Sequence, residues 1–234
     1  MRKKYKVYVQ KRVVIFTEMK NIIIVCAGSY GKEMYYTIRS INLAAEKEGK
    51  DKPYNILGFI NDIADALDNS EIKLPILGNI KDWKPIGDEV YALGLGTPKS
   101  KKKIVELLKK RGCRFETIIA PYVIIPDFTE IGEGCLIKAY HIASGVKVGS
   151  FVNMHGSMIM PGAVIEDYST TTGFAVVENA HVGSGVYVGS HSVIMEGVHV
   201  GDNVYISAGS IVTKDIAPNS KAFGYPAVET PLKV

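Results

Sequence analysis

Five histidines, His141, His155, His181, His191 and His199, all lie in the second half of the 234-residue chain. An imidazole titrates near neutrality and is the usual side chain for taking a proton from an attacking hydroxyl or amine. It serves equally well as a packed, hydrogen-bonded residue of the interior. A different chemistry is written at Cys26-Ala27-Gly28-Ser29-Tyr30-Gly31, which follows the apolar run Asn21–Cys26 and precedes a helical pattern. Glycines between a strand and a helix let an anion approach the backbone N–H groups at the helix start. The same glycines also suit a plain tight connection. Lys214 in the segment VTKDI offers a point charge to a phosphate, or is simply a surface lysine at a turn. Cys26, Cys113 and Cys135 are odd in number and lack metal-ligand spacing, so no metal is expected and a reducing cytoplasm fits.

Composition limits what can surround these residues. The chain is 47% hydrophobic and 22% charged, which excludes a disordered tail, a collagen-like fibre and a small disulfide scaffold. No apolar run is long enough to span a membrane. The opening MRKKYKVYVQKRVVIF breaks its apolar residues with Lys and Arg, unlike a signal peptide. Net charge is +4, yet residues 1–120 hold 23 Lys+Arg against 14 Asp+Glu while residues 121–234 hold 5 against 10. The split implies two modules, the first favouring an anion or merely carrying solvated helix faces such as Lys99–Lys103. Its basic residues are not interleaved with aromatics, which argues against nucleic acid.

In the first half, strands are expected at Asn21–Cys26, Tyr54–Ile60, Glu89–Leu95 and Phe115–Ala120. Helices are expected at Lys32–Lys47, where Met34, Ile38, Ile41 and Ala45 recur at three and four, and at Lys101–Arg111. Alternating strands and helices imply βαβ units and a parallel, Rossmann-like sheet over residues 19–120. Residues 1–18 read as an extension of unknown role. From residue 121 the period changes. Val182, Val188, Ile194, Val200, Ile206 and Val212 recur every six residues with small neighbours, the mark of a parallel β-helix whose repeated apolar residue fills a triangular interior. Upstream the frame reads Ile131, Ile137, then Ile142, Val148, Met154 and Met160, with slips before Ile142 and after Met160, and resumes at Val164, Thr170 and Val176. The coil is expected over residues 121–217, with residues 218–234 as its cap.

The segments MKNIIIVCAGSYGKE, GFINDI, ALGLGTPKSKKKI, TIIAPYVII, the repeats and AGSIVTKDIAPNSKAFGYPA together resemble bacterial sugar acyltransferases of the sialic acid O-acetyltransferase and UDP-amino-sugar N-acetyltransferase type. That resemblance implies a left-handed coil, a homotrimer, a nucleotide-sugar substrate and acetyl-CoA lying between subunits. It places nucleotide-sugar contacts at Gly28, Ser29, Tyr30, Asn61, Asp62 and Gly96, and cofactor contacts at Ser169, Ser190, Ala208, Gly209 and Lys214. The sequence departs from the family at Cys26, usually Gly, at Tyr30, usually His, and at Asn61, usually acidic. The family's histidine base falls on Met160 or Pro161, in a stretch from Asn153 to Tyr168 that is one residue longer here. His155 moved into the cleft is one way to replace it. An amino-sugar acceptor that loses its proton to water is another, and a non-catalytic trimeric binding or scaffold protein is the third. The expected function is an acyl-CoA-dependent transferase, most simply an acetyltransferase, acting on a nucleotide-linked amino sugar in surface-glycan synthesis.

Overall fold

The computed structural model describes residues 6–7 and 19–232, so apart from Lys6–Val7 the expected extension lies outside the described residues. The chain forms two compact units. Residues 19–96 and 100–121 make one, and residues 6–7, 97–99 and 122–232 make the other.

The first unit is built on a strand that is apolar throughout. In β1 (Lys20–Val25), Ile22 to Val25 are fully buried, as a central strand covered on both faces requires. It is followed by α1 (Ser29–Lys47), β2 (Tyr54–Ile60), β3 (Ile76–Gly78), β4 (Val90–Leu93), α2 (Pro98–Lys109) and β5 (Arg114–Phe115). The strand order is β3-β2-β1-β4-β5, and every pair is parallel. Helix α1 buries Met34, Thr37 and Ile38 on one side. The expected elements are present, and the last expected strand is split into Arg114–Phe115 and Ile118–Ile119. The pattern did not reveal β3, because three residues behind Pro75 are too few to show a period.

A polar chain runs through this core. Trp83 Nε1 donates to the Tyr91 hydroxyl at 2.9 Å, and that hydroxyl donates to the Glu89 carboxylate. Burial pushes the Glu89 carboxyl up, but hydrogen bonds from Tyr91 and from the backbone N–H groups of Ile86, Glu89 and Gly87 outweigh it and hold the group below its ordinary value. Burial pushes the Tyr91 phenol up, and Glu89 pushes it further.

The second unit is a left-handed parallel β-helix. Its first wall stacks Glu130–Ile131, Lys147–Val148, Val164–Ile165, His181–Val182 and His199–Val200, with Lys6–Val7 antiparallel beside the first. A second wall runs from Leu136–Lys138 through Asn153–His155, Thr170–Thr171, Tyr187–Val188 and Tyr205–Ile206 to Ser220–Gly224. The third runs from His141–Ile142 to Ile211–Val212. Strand Ala227–Pro231 folds back antiparallel on Ser220–Gly224 and closes the last coil. Val182, Val188, Ile194, Val200, Ile206 and Val212 are all fully buried, forming the interior column that their six-residue spacing implies.

Ile131, Ile137, Ile142, Val148 and Met154 hold the expected interior positions, and the expected frame is off by one from Met160 to Val176. The interior positions are Ile159, Ile165, Thr171 and Val177 rather than Met160, Val164, Thr170 and Val176. Coils run 131 to 148, 148 to 165 and 165 to 182 before lengthening to 182 to 200. Each shorter coil has one five-residue step, ending at Ile142, Ile159 or Val182. Neighbouring residues of like kind, such as Met158-Ile159-Met160 and Val176-Val177, hid the true frame. Thr171, a hydroxyl in the apolar column, shares a 2.8 Å hydrogen bond with Ser157 Oγ, which removes the cost of burying both.

Ile194→Ala, in the interior column, is expected to lower unfolding free energy by about 2–5 kcal/mol in a urea titration. Because the Glu89 carboxyl is held low in the folded chain, its stabilisation is present above the unfolded carboxylate range near about pH 4 and is lost as pH falls through the folded value. Urea stability measured from pH 7 downwards is therefore expected to drop in that acid range, with a shallower drop in Glu89→Gln.

Candidate functional site

In the α/β unit the chain leaves β1 through Cys26, whose φ of 73° is unusual for a residue with a Cβ. Cys26 N–H donates to Ile60 carbonyl at 2.8 Å, and Gly94 N–H donates to Val25 carbonyl at 2.9 Å, so the turn is tied to both neighbouring strands. Burial pushes the Cys26 thiol up to about 12, and the Asp62 charge adds to the shift. The thiol therefore stays protonated and is a poor nucleophile. Gly31 is demanded by contact, because a Cβ there would lie 2.0 Å from the Cys26 carbonyl oxygen.

Gly28 is the N-cap of α1 and no side chain caps the helix, so its start keeps its attraction for an anion. Gly28 and Ser29 are exposed, and the Tyr30 ring lies directly over buried Gly96, where a Cβ would stand 2.2 Å from it. Asn61 Oδ1 accepts from Ala27 N–H at 3.2 Å, and its Nδ2 donates to the Ile63 carbonyl at 2.9 Å. The structure thus brings Gly28, Ser29, Tyr30, Asn61 and Gly96 together beyond the carboxyl ends of β1, β2 and β4, where ligands of parallel sheets bind. Asp62 lies near enough to act on Cys26, but one of its oxygens is committed to a turn. Its Oδ1 accepts from Ile80 and Lys81 N–H at 2.9 and 3.4 Å and holds the short helical turn there.

In the β-helix, Ser190, Ala208 and Gly209 share one edge of the prism, with Gly209 N–H donating to the Ser190 carbonyl at 2.8 Å. Ala208 and Gly209 are exposed, and nothing lies within 4 Å of where a Gly209 Cβ would be. Ser190 Oγ reaches Thr172 Oγ1 at 3.1 Å. His155 is half-buried on the same edge and pairs in register with Lys138. Ser169 lies apart: it is fully buried, donates to the Gly183 carbonyl at 2.8 Å and accepts from Val186 N–H at 3.0 Å. Lys214 is exposed on the next edge, across the third wall.

A cluster missed by sequence reasoning stands on the first wall. A cavity of about 790 Å³ is lined by Glu166, His181, His199, Asp202, Asp215 and Glu229, among others. His181 Nε2 is 3.6 Å from Glu166 Oε1, and the His181 and His199 rings meet edge to face with centroids 4.7 Å apart. Their separation of one full coil, residues 181 to 199, was the signal available. Elsewhere His141 is exposed, and His191 stacks on Phe174 at 5.1 Å.

The family described as the GMPPB C-terminal domain matches residues 118–221, less than half of the chain. No curated protein matches. Solved structures match nearly the whole length. The acetyltransferase domain of PglB from Neisseria gonorrhoeae FA1090 is 18% identical, with 90% of this chain and 100% of that one covered and a TM-score of 0.75. A perosamine N-acetyltransferase from Caulobacter crescentus, in complex with CoA and GDP-perosamine, is 16% identical over 91% of this chain and 98% of that one, at a TM-score of 0.76. This chain has their fold. WeeI from Acinetobacter baumannii AYE is 25% identical over 91% of this chain and 100% of that one, at 0.75.

The two glycine contacts differ in what must give way. Gly31→Ala drives a methyl into backbone and is expected to cost roughly 1–3 kcal/mol of stability in urea. Gly96→Ala needs only the Tyr30 ring to swing aside and is expected to cost less than Gly31→Ala in the same titration.

Proposed function

We propose that the chain is an acyl-CoA-dependent transferase, most simply an acetyltransferase, that acylates a nucleotide-linked amino sugar in surface-glycan synthesis. It would work as a cytoplasmic homotrimer. No helix among the described residues is long and apolar enough to cross a membrane. The observation that carries the reading is the joining of two parts in one chain. One is a parallel sheet with a glycine turn at its carboxyl edge, read here as a Rossmann-like nucleotide-sugar domain. The other is a β-helix whose open, small-residue edge at Ser190, Ala208 and Gly209 suits an extended pantetheine arm. Support comes from the PglB domain, whose structure has also been solved with acetyl coenzyme A, and from the Caulobacter enzyme with CoA and GDP-perosamine.

In this reading the uncapped start of α1 at Gly28 and Ser29 receives the diphosphate, with Tyr30 over Gly96 and Asn61 bordering the rest of the nucleotide sugar. Asp62 belongs to the same set, with one carboxylate oxygen holding the Ile80 turn. Ser190, Ala208, Gly209 and Ser169 line or brace the coils along which the thioester lies, and Lys214 meets a CoA phosphate. The amine attacks the thioester carbonyl, and the resulting oxyanion requires hydrogen-bond donors aimed at it. Two histidines compete for the released proton: His155, proposed from the sequence, and His181.

Isothermal titration with acetyl-CoA is expected to show saturable binding, and addition of UDP- and GDP-linked amino sugars is expected to release free thiol. Absence of saturable binding would instead favour a non-catalytic trimeric scaffold.

A further inference from the structure

We infer that His181, held by the Glu166 carboxylate, is the residue that accepts the proton in the acyl transfer, in place of His155; this rests on the reading above. The pair stands out first by breaking a rule of the coil. The residue after each interior position of the first wall is Gly132, Gly149, Glu166, Gly183 and Gly201, and each donates its N–H to the coil beneath. The glycines are there for space. A Cβ at Gly132, Gly149, Gly183 or Gly201 would come within 2.6–2.9 Å of the backbone of the following coil. Glu166 alone of the five carries a side chain, and that side chain reaches His181. Local rules of a fold are broken most often where a site is built.

The chemistry of the surroundings points the same way. Nε2 is turned toward Glu166 Oε1 at 3.6 Å, so a proton carried on that nitrogen would face the carboxylate and leave the Nδ1 lone pair to accept another. The imidazolium formed would face Glu166, Asp202, Asp215 and Glu229 around one cavity, with His199 as the neighbouring imidazole. Lys147 lies two coils up the same column. His155, by contrast, pairs in register with Lys138, so a second positive charge would form beside a first.

The acceptor amine forms a C–N bond to the thioester carbonyl carbon, and His181 Nδ1 takes one proton from the attacking nitrogen. The intermediate collapses with cleavage of the C–S bond, and the departing CoA thiolate takes that proton back from His181, giving the amide and CoA thiol.

The test measures thiol release from acetyl-CoA with UDP- and GDP-linked amino sugars, alongside acetyl-CoA titration and thermal unfolding. His181→Ala and the shape-conserving His181→Asn are expected to lower kcat by about 10²–10⁴-fold with acetyl-CoA affinity and unfolding temperature unchanged. His155→Ala is expected to lower kcat far less than His181→Ala. Glu166 is a positioning residue, so Glu166→Gln should lower kcat less than His181→Ala at an unchanged KM for acetyl-CoA, with part of the loss recovered in Glu166→Asp. Wild-type kcat in both His181 variants, or loss of turnover in His155→Ala alone, overturns the assignment and leaves acyl transfer standing. A wild-type chain that binds no acetyl-CoA, or releases no thiol with any of these acceptors, overturns both.

Discussion

The backbone ladder between successive coils governs the rest of this molecule. Each N–H of a wall strand donates to a carbonyl one coil away, as in Gly132 to Val148, Gly149 to Ile165 and Glu166 to Val182. No strand of two residues is stable alone, so each wall exists only because its neighbours complete it. The ladder also fixes register. Side chains one coil apart stand in line, and the number of residues in a coil decides which ones meet. Three coils of seventeen followed by one of eighteen bring His199 beneath His181. One residue more or fewer would turn the pair onto different faces.

This dependence explains what could be read from the sequence. Between Val182 and Val212 the six-residue spacing is unbroken, so one frame buries an apolar column even where Val193, Met195 and Ile211 stand beside it. From Met158 to Val177, adjacent apolar residues compete for the interior place at Met158–Met160, Val164–Ile165 and Val176–Val177, and Thr170 and Thr171 are chemically alike. Nothing local chooses between them; the closing of the previous coil does. The Glu166 break in the glycine column became visible only with that frame, because in the shifted frame Glu166 falls at an ordinary outward corner. The turn at Gly28–Gly31 was legible because glycine has few other reasons to stand between a strand and a helix. Asp62 was not, since its capping of Ile80 and Lys81 depends on a turn eighteen residues away.

The α/β unit uses close approach in the same way. Gly31 and Gly94 let α1 settle against the end of β1, since a Cβ on Gly94 would stand 2.5 Å from the Gly31 Cα. With Ala27 tied to Asn61, the first turn of α1 is fixed from two sides. A fixed turn matters for anion binding because backbone N–H groups that are already aligned lose little entropy when they meet a phosphate. Cys26 sits at the strained point of that turn, and its buried, protonated thiol leaves the local charge to the helix start.

Charge also distinguishes the coil from the rest of the chain. The half of the chain that forms the coil carries five basic residues against ten acidic ones, and four of its carboxylates converge on the cavity beside His181 and His199. Such a surface favours a transient imidazolium and opposes a bound polyphosphate at the same spot. An anionic group gains more near a lysine such as Lys214, outside that cavity, than within it.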